Sequence, residues 1–576
     1  MAGLTNAEIA AALEEIADLL DFQGANPFRV RAYRNAARAV AEMTESVSDL
    51  LHGGNRSLTD IPGIGEDLAG KIATLAETGT LPLLEELRAQ VPEGVLEILR
   101  IPGLGPKRAA TLYRELGVRN LEQLRRACEE HRVRSLKGFG EKTEAAILEG
   151  IELASQASQR MYWAYADQIA QSILNHMQAC RGIRQMEFAG SYRRGKETVG
   201  DLDLLVVADN AEKVMDHFAQ VPGVGKVLAR GDTKMSLRLQ IGLQVDMRIV
   251  PEESFGAALQ YFTGSKEHNI LLRARAKDRG LKVNEYGVFQ GEVEIAGRTE
   301  EEVYAALGLP WIPPELREAR EEFQWAEAGT LPSLVELEDL RGDLHVHTDW
   351  TDGTASIEEM AQAAKARGLR YLAITDHSKR VSMVGGLDAE RLLRQWEEVD
   401  RLNSRLRGIR LLKGIEVDIL EGGGLDLPDE VLAQADWVVA SIHYGLNQSR
   451  EQITRRAIEA LKNPYVCCLA HPTGRLIGKR KPYAIDLEAV IHVAAEEGKM
   501  LELNAHPQRL DLDDVACLAA KKHGVLVVIA TDAHSPDGLD ALRYGVLQAR
   551  RGGLTREDVA NTRSWNELRK LLRRQK

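Results

Sequence analysis

From Gly342 onward one unit repeats along the chain: a short apolar run that closes on histidine, aspartate or glutamate, then a longer stretch with helical spacing. The seven runs are LHVH, YLAITDH, LLKGIEVD, VVASIH, CCLAH, MLELNAH and VVIATDAH. Apolar strands that alternate with helices pack as a parallel sheet covered by helices. When such a sheet closes into a barrel, the C-terminal strand ends share one mouth, where active sites sit. His345, His347, Asp352, His377, Glu416, His443, His471, Asp532 and His534 are therefore expected to converge. Nine nitrogen and oxygen donors exceed what one ion can use, so two or three ions are expected. None is a cysteine, which leaves Mn2+, Zn2+ and Fe2+ open. A cluster of this kind generates hydroxide near neutral pH and stabilises charge on phosphorus, so phosphoester hydrolysis is the natural chemistry. Any one of these histidines alone would more often be packed or solvated. Their recurrence at strand ends argues against chance.

The 576 residues are too many for one core, and two other textures precede the barrel pattern. Up to about residue 155 short amphipathic helices alternate with glycine-rich turns. Ile61-Pro62-Gly63-Ile64-Gly65, Ile101-Pro102-Gly103-Leu104-Gly105 and Leu136-Lys137-Gly138-Phe139-Gly140 each lie between two helical segments. Glycine permits a tight turn with outward N–H groups, and the helix that follows adds its positive end. Gly63, Gly65, Gly103, Gly105, Gly138 and Gly140 thus predict three helix-hairpin-helix units that hold backbone phosphates without reading sequence. An isolated PGxG is usually only a turn. Val221-Pro222-Gly223-Val224-Gly225 supplies a control, since KVLARGDTKMSLRL after it reads as strand and loop, and no hairpin is expected there.

From about residue 185 to 316 strand-like runs (MEFAG, DLDLLVV, MSLRL, LQVDMRIV) alternate with helices. Asp201 and Asp203 stand two apart at the head of an apolar strand, so both carboxylates face one side. Such a pair can hold two divalent ions about 3.5–4 Å apart, the arrangement that aligns the oxygens of phosphoryl transfer. Asp246, in LQVDMRIV, is the candidate third acid. Gly190, Ser191 and Arg194 offer backbone N–H, hydroxyl and guanidinium donors suited to a triphosphate. A bare Asp-x-Asp is common; the Gly-Ser turn before it and the strand aspartate after it give this one weight. A Glu- and Pro-rich stretch from Pro313 to about Arg341 carries one predicted helix, Pro314 to Trp325, and reads as a linker.

The formal net charge of −12 argues against indiscriminate electrostatic binding to DNA. It does not exclude a DNA enzyme, because ions held by carboxylates meet the phosphates instead. No apolar run approaches the roughly 20 residues of a membrane span, and the start lacks a basic then apolar secretory leader, so a cytoplasmic protein is expected. Cys128, Cys180, Cys467, Cys468 and Cys517 are scattered without a CxxC pair, so neither a disulfide framework nor a thiolate zinc site is expected.

The motifs GSYRRGKETVGDLD, VDMR and YFTGS (Tyr261 to Ser265), followed by Asn269, Arg273 and VNEYG, closely resemble those of the family X DNA polymerases, which include polymerase β. The match runs in consistent order over about residues 1–316. By that resemblance Asp201 and Asp203 bind two Mg2+ or Mn2+ ions, and Asp246 binds the catalytic ion and helps activate the primer 3′-hydroxyl. Ser191 and Arg194, with Gly190, hold the triphosphate; Tyr261, Phe262 and Gly264 pack on its sugar; Asn269 and Arg273 lie along the minor groove at the nascent pair. Two departures stand out. Gln244 replaces an arginine two before the third aspartate, and Asp67 replaces a basic neighbour of Lys71, which falls where the family's lyase subdomain has its Schiff-base lysine. Lyase chemistry at Lys71 and a plain solvated lysine are equal readings.

The strand-end donors are similar to those of the PHP (polymerase and histidinol phosphatase) family over about residues 342–576, with all nine ligand positions present. His492, His506 and His523 match none of them. The two resemblances together imply helical helix-hairpin-helix N-terminal domains, an α+β nucleotidyltransferase palm and thumb, and a distorted (β/α)7 PHP barrel. The implied boundaries are an 8-kDa-like domain at 1–90, a fingers-like domain at 91–155, palm at 156–255, thumb at 256–316, linker at 317–340 and PHP domain at 341–576. They imply a repair polymerase that fills short gaps, with 3′–5′ exonuclease and AP endonuclease or 3′-phosphatase as hydrolytic activities. The expected partners are gapped or primer-template DNA and dNTPs, for a monomer off the membrane. A small-molecule phosphatase and a DNA-end scaffold with vestigial catalysis are the competing readings. The hairpins disfavour the first and the intact acids the second.

Overall fold

The computed structural model describes the chain except at residues 1–3, 5, 44–46, 52–56, 62, 100, 102–103, 158–159 and 574–576. Pro62, Pro102 and Gly103 of the first two hairpins lie outside the described residues. Three helices open where the glycine turns end: α1 (Glu66–Thr78), α2 (Pro106–Leu116) and α3 (Glu141–Ala157). The two N-terminal helical units share one apolar core that runs from Ile9 and Leu13 to Ile147 and Ile151. The Val221–Gly225 copy forms no hairpin; a strand begins at Val224.

The palm is a five-stranded sheet of β1 (Ile183–Phe188), β2 (Asp201–Ala208), β3 (Val224–Arg230), β4 (Lys234–Leu239) and β5 (Gln244–Ile249), in the order β1-β2-β5-β4-β3. Only β2 and β5 pair in parallel, and their register sets Asp203 opposite Asp246. Helix α4 (Phe255–Thr263) covers one face, and α5 (Lys266–Asp278) leads to a small antiparallel meander over residues 282–296.

The predicted helix from Pro314 to Trp325 does not form. A short 3-10 turn (Pro314–Leu316) and a helix at Glu322–Ala328 take its place. The reason is the Glu322 carboxylate, 1% exposed, which accepts the N–H groups of Ala319 and Arg320 and binds His268 Nδ1 at 2.9 Å. Nor is the connector a solvated spacer: Leu316, Ala326 and Leu334 enter the thumb core, and Val335 and Leu340 the barrel core.

The barrel strands are β6 (Gly342–Val346), β7 (Tyr371–Ile374), β8 (Arg410–Asp418), β9 (Trp437–Ser441), β10 (Cys468–Leu469), β11 (Met500–Asn504) and β12 (Val527–Ala530), parallel and in sequence order. Donation from Asp532 N to His345 O at 2.9 Å and from His347 N to Ala533 O at 2.8 Å draws the last strand end to the first. Alternate residues divide between two cores: Tyr371 and Ala373 point inward with Trp565 and Leu568, and Leu372 and Ile374 meet the outer helices. No disulfide links the five cysteines, and no described helix is long and apolar enough to cross a membrane.

One buried charge cluster joins palm, thumb and connector. Glu300, 4% exposed, takes hydrogen bonds from Arg193 at 2.8 and 2.9 Å and from fully buried Arg317 at 2.5 and 3.0 Å. Burial alone would raise this carboxyl, but Arg317 and Arg193 outweigh it and hold it at about 2. The folded pKa lies below the ordinary 4.5, so this stabilisation is complete above that value and is lost as pH falls toward 2. Glu300→Ala strands the fully buried Arg317 guanidinium and the partly buried Arg193, and is expected to cost about 3–5 kcal/mol. Hydrogen exchange should then speed up in peptides of residues 255–316 and leave barrel peptides unchanged; unaltered protection in the thumb would refute the assignment.

Candidate active sites

At the barrel mouth the strand ends bring all nine expected donors together. Three sets have donor atoms within 4.8 Å of one another: His347, Asp352, His377 and His534; His345, His347 and Asp532; and His377, Glu416 and His443. His347 and His377 each belong to two sets, so the three positions are contiguous. Glu416 lies at the centre, with Oε2 at 2.8 Å from His377 Nδ1 and 3.6 Å from His347 Nε2. His443 and His471 present Nε2 to its other oxygen at 3.4 and 3.2 Å. Asp352 meets His534 at 3.2 Å, and Asp532 meets His347 at 3.1 Å.

These residues fit metal ions. His345 Nε2, both ring nitrogens of His347, His377 Nδ1 and Glu416 Oε2 are buried and make no hydrogen bond. Lone pairs kept from water without a donor are costly, and a cation is the partner this set lacks. Burial, with His534 and His377 nearby, holds His347 at about 3, whereas the carboxylates around His345 and His443 outweigh burial and raise both, so imidazoles and carboxylates pair with one another where no cation stands between them.

In the palm, β2 and β5 set Asp201, Asp203 and Asp246 on one face. Burial, then repulsion by Asp201 and Asp246, pushes Asp203 up to about 7. Burial and Asp246 raise Asp201 as well. Three carboxylates gathered on one face, two of them pushed up by burial and by their neighbours' charge, suit divalent ions. The strand β1 ends in a short helical turn, Gly190–Arg193. Gly190 has φ +66°, and a Cβ there would approach Asp203 Oδ2 to 2.8 Å, so glycine is required where the turn crosses the acids. Arg194 donates Nε to Glu318 at 3.0 Å and NH1 to the Thr263 carbonyl, which brings the turn to the Tyr261–Gly264 segment. Tyr261 and Phe262 meet edge to face at 5.2 Å, and Asn269 donates to Tyr261 O at 2.7 Å. Arg273 lies exposed one helical turn farther along α5.

Comparison with known proteins matches both halves. The DNA polymerase/3′-5′ exonuclease PolX of Bacillus subtilis (strain 168) is 42% identical over 572 residues, 98% of this chain and 99% of the relative. The chain belongs to the family X DNA polymerases that carry a PHP domain. Family models match as a helix-hairpin-helix domain (4–81), a SAM-like helix-hairpin-helix tandem (95–152), DNA polymerase beta palm (160–246), DNA polymerase beta thumb (258–318) and PHP domain (343–506). A probable phosphatase of Acetivibrio thermocellus is 36% identical over 201 residues, 33% of this chain and 78% of that protein. DNA polymerase lambda of Rattus norvegicus is 28% identical over 344 residues, 54% of this chain and 56% of that protein.

Other family features divide. Gly63 and Gly138 adopt φ of +86° and +85°, and a Cβ at Gly65, Gly105 or Gly140 would meet no atom within 4 Å, so the turns present open backbone. Lys71 pairs with Asp67 at 2.5 Å and lies over the Tyr33 ring. Burial would lower its pKa, but Asp67 and Tyr33 outweigh burial and raise it, the wrong direction for a Schiff-base nucleophile. Gln244, in the place of an arginine, donates to Asp246 Oδ1 at 3.2 Å, and Lys234 lies 3.5 Å from Asp246 Oδ2. His492 and His523 meet each other at 4.4 Å, and they and His506 belong to none of the donor sets.

Sequence reasoning passed over the residues behind the donors. Asp418 lies 3.2 Å from His443 Nδ1; Glu502 binds His345 Nδ1 at 2.6 Å and accepts His471 N–H at 2.6 Å. The signal for Asp418 was its position two after Glu416 on one strand, hence on the same face. Such partners orient a ligand and set its tautomer. Glu502→Gln leaves one of the two donors without an acceptor and is expected to weaken metal retention about 10–100-fold. Metal content after dialysis against a buffered chelator measures this, and wild-type content would remove Glu502 from the support of the centre.

Proposed function

We propose that this chain fills short DNA gaps at the palm acids and removes 3′-terminal nucleotides at the barrel centre. The observation that carries the reading is the register of β2 and β5, which pairs Asp203 with Asp246 and sets Asp201 beside them. Divalent cations, Mg2+ or Mn2+ in the palm and two or three of Mn2+, Zn2+ or Fe2+ in the barrel, would neutralise phosphate charge and acidify the attacking hydroxyl or water.

The chain's own groups then have distinct tasks. Gly190 N–H, the Ser191 hydroxyl and Arg194 receive the triphosphate of a dNTP. Tyr261, Phe262 and Gly264 flank its sugar. Asn269 and Arg273 lie along the nascent pair, and the glycine turns of the helical region hold backbone phosphates without reading sequence. Asp246, supported by Gln244 and Lys234, helps activate the primer 3′-hydroxyl. In the barrel, the nine donors hold the ions, while Glu502 and Asp418 keep the imidazoles oriented. The reading takes a single chain as the working unit, since each chain carries both centres. Removal of a 3′ phosphate is the same chemistry at the same mouth, and likeness to probable phosphatases favours it as a second activity.

Two variants separate the centres. Asp203→Ala is expected to abolish dNTP incorporation on a one-nucleotide gap, a loss of about a thousandfold or more, and to leave 3′–5′ hydrolysis intact. His345→Ala should do the reverse. If either variant silenced both activities, the division of labour would be wrong.

A further inference from the structure

Helix α6 (Leu542–Arg551) belongs to the hydrolase barrel, yet one of its faces is given over to the palm. Arg543 lies 3.2 Å from Asp167 Oδ2, and the other oxygen of Asp167 accepts the Tyr192 hydroxyl at 2.6 Å. The Tyr544 ring meets Trp163 edge to face at 6.0 Å; Trp163 stacks on Tyr192 and donates to its carbonyl at 2.8 Å. Leu547 packs on Gly195, where a Cβ would come within 2.5 Å of it. Arg551 donates to the Arg194 carbonyl at 2.7 Å, to Glu318 at 3.0 Å and to Asp514 at 2.6 Å. Residues 543, 544, 547 and 551 share a helix face, and each bears on the segment Tyr192–Gly195 directly or through one residue.

We propose that Arg551 is a positioning residue for nucleotide binding in the polymerase site, although it belongs to the hydrolase domain. The proposal rests on the reading of Ser191 and Arg194 as triphosphate ligands. Two effects of Arg551 act in the same direction. Its bond to the Arg194 carbonyl fixes the turn that presents both donors. It also shares Glu318, which is 11% exposed and carries Arg194, Lys196 and Arg551 together. When Arg194 turns from Glu318 to a triphosphate, Arg551 remains to satisfy the carboxylate, so release of Arg194 leaves no bare buried charge. Without Arg551, Glu318 would hold Arg194 more tightly and the turn would be looser. Arg551 is itself 3% exposed and anchored by Asp514, so it stays in place while Arg194 moves.

The test uses full-length protein on a one-nucleotide gapped duplex, with 3′–5′ hydrolysis of a single-stranded oligonucleotide measured in parallel. Arg551→Met is expected to raise KM for the dNTP about tenfold, the loss of a charge-assisted hydrogen bond, with kcat within about twofold. Hydrolysis should be unchanged. Addition of Glu318→Gln to Arg551→Met should recover part of the KM, because the competing carboxylate is gone. A wild-type KM in Arg551→Met, or an equal fall in both activities, would overturn the proposal. Should Arg551→Met not fold, Arg551→Lys decides: it keeps the charge but not the fork, so a smaller KM rise with unchanged hydrolysis supports the proposal and a wild-type KM overturns it. Arg194→Ala runs alongside. An unchanged KM there would sink the triphosphate reading itself; a raised KM there with none in Arg551→Met would sink only this inference.

Discussion

Ionisable groups crowded at the ends of parallel strands are the constraint on which both centres depend. In the palm, repulsion and burial push Asp203 up to about 7; in the barrel, His347 is held at about 3. Neither arrangement would persist on a mobile loop, because side chains free to move would separate or turn to water. Parallel register prevents that. The ladder between β2 and β5 fixes Asp203 beside Asp246, and the ring of seven strands fixes where each imidazole begins. The stabilisation lost at the strand ends is offset by apolar interiors below them, which in the barrel include fully buried Trp437 and Leu568.

The molecule is also tied together by charge that is not at an active site. Glu300, Arg193 and Arg317 clamp palm, thumb and connector. Arg475 reaches from the barrel to Glu197 in the palm at 2.7 Å, and the Tyr162 hydroxyl donates to Ile477 O at 2.7 Å. Where such a pair is buried, loss of one partner leaves a charge that water cannot reach, so the pairs hold the geometry even where their net gain is small. A hydrolase that can expose a 3′-hydroxyl and a polymerase that can extend one are thereby held as neighbours, with α6 in contact with the turn that follows β1.

Much of both sites was legible because each signal is local. Asp201 and Asp203 share a face by the period of a strand, and the barrel donors recur at the ends of apolar runs. The false hairpin at Val221 was recognisable for the same reason, since its flanks have strand and not helix spacing. The connector was misread because composition there speaks for exposure. Glutamates and prolines suggested a linker, but Arg317 and Glu322 are buried against partners 17 and 54 positions away, beyond the reach of any local period.

The amino-acid sequence by itself determined the kinds of donor, their spacing along each strand, the glycine turns and the family. Tertiary structure decided which donors share a position, as with His347 and His377, and which residues stand behind them. It also decided that a barrel arginine rests on a palm carbonyl 357 positions away. The physical reason is range: strand and helix periods order neighbours a few residues apart, whereas contacts between domains exist only once separate cores have docked.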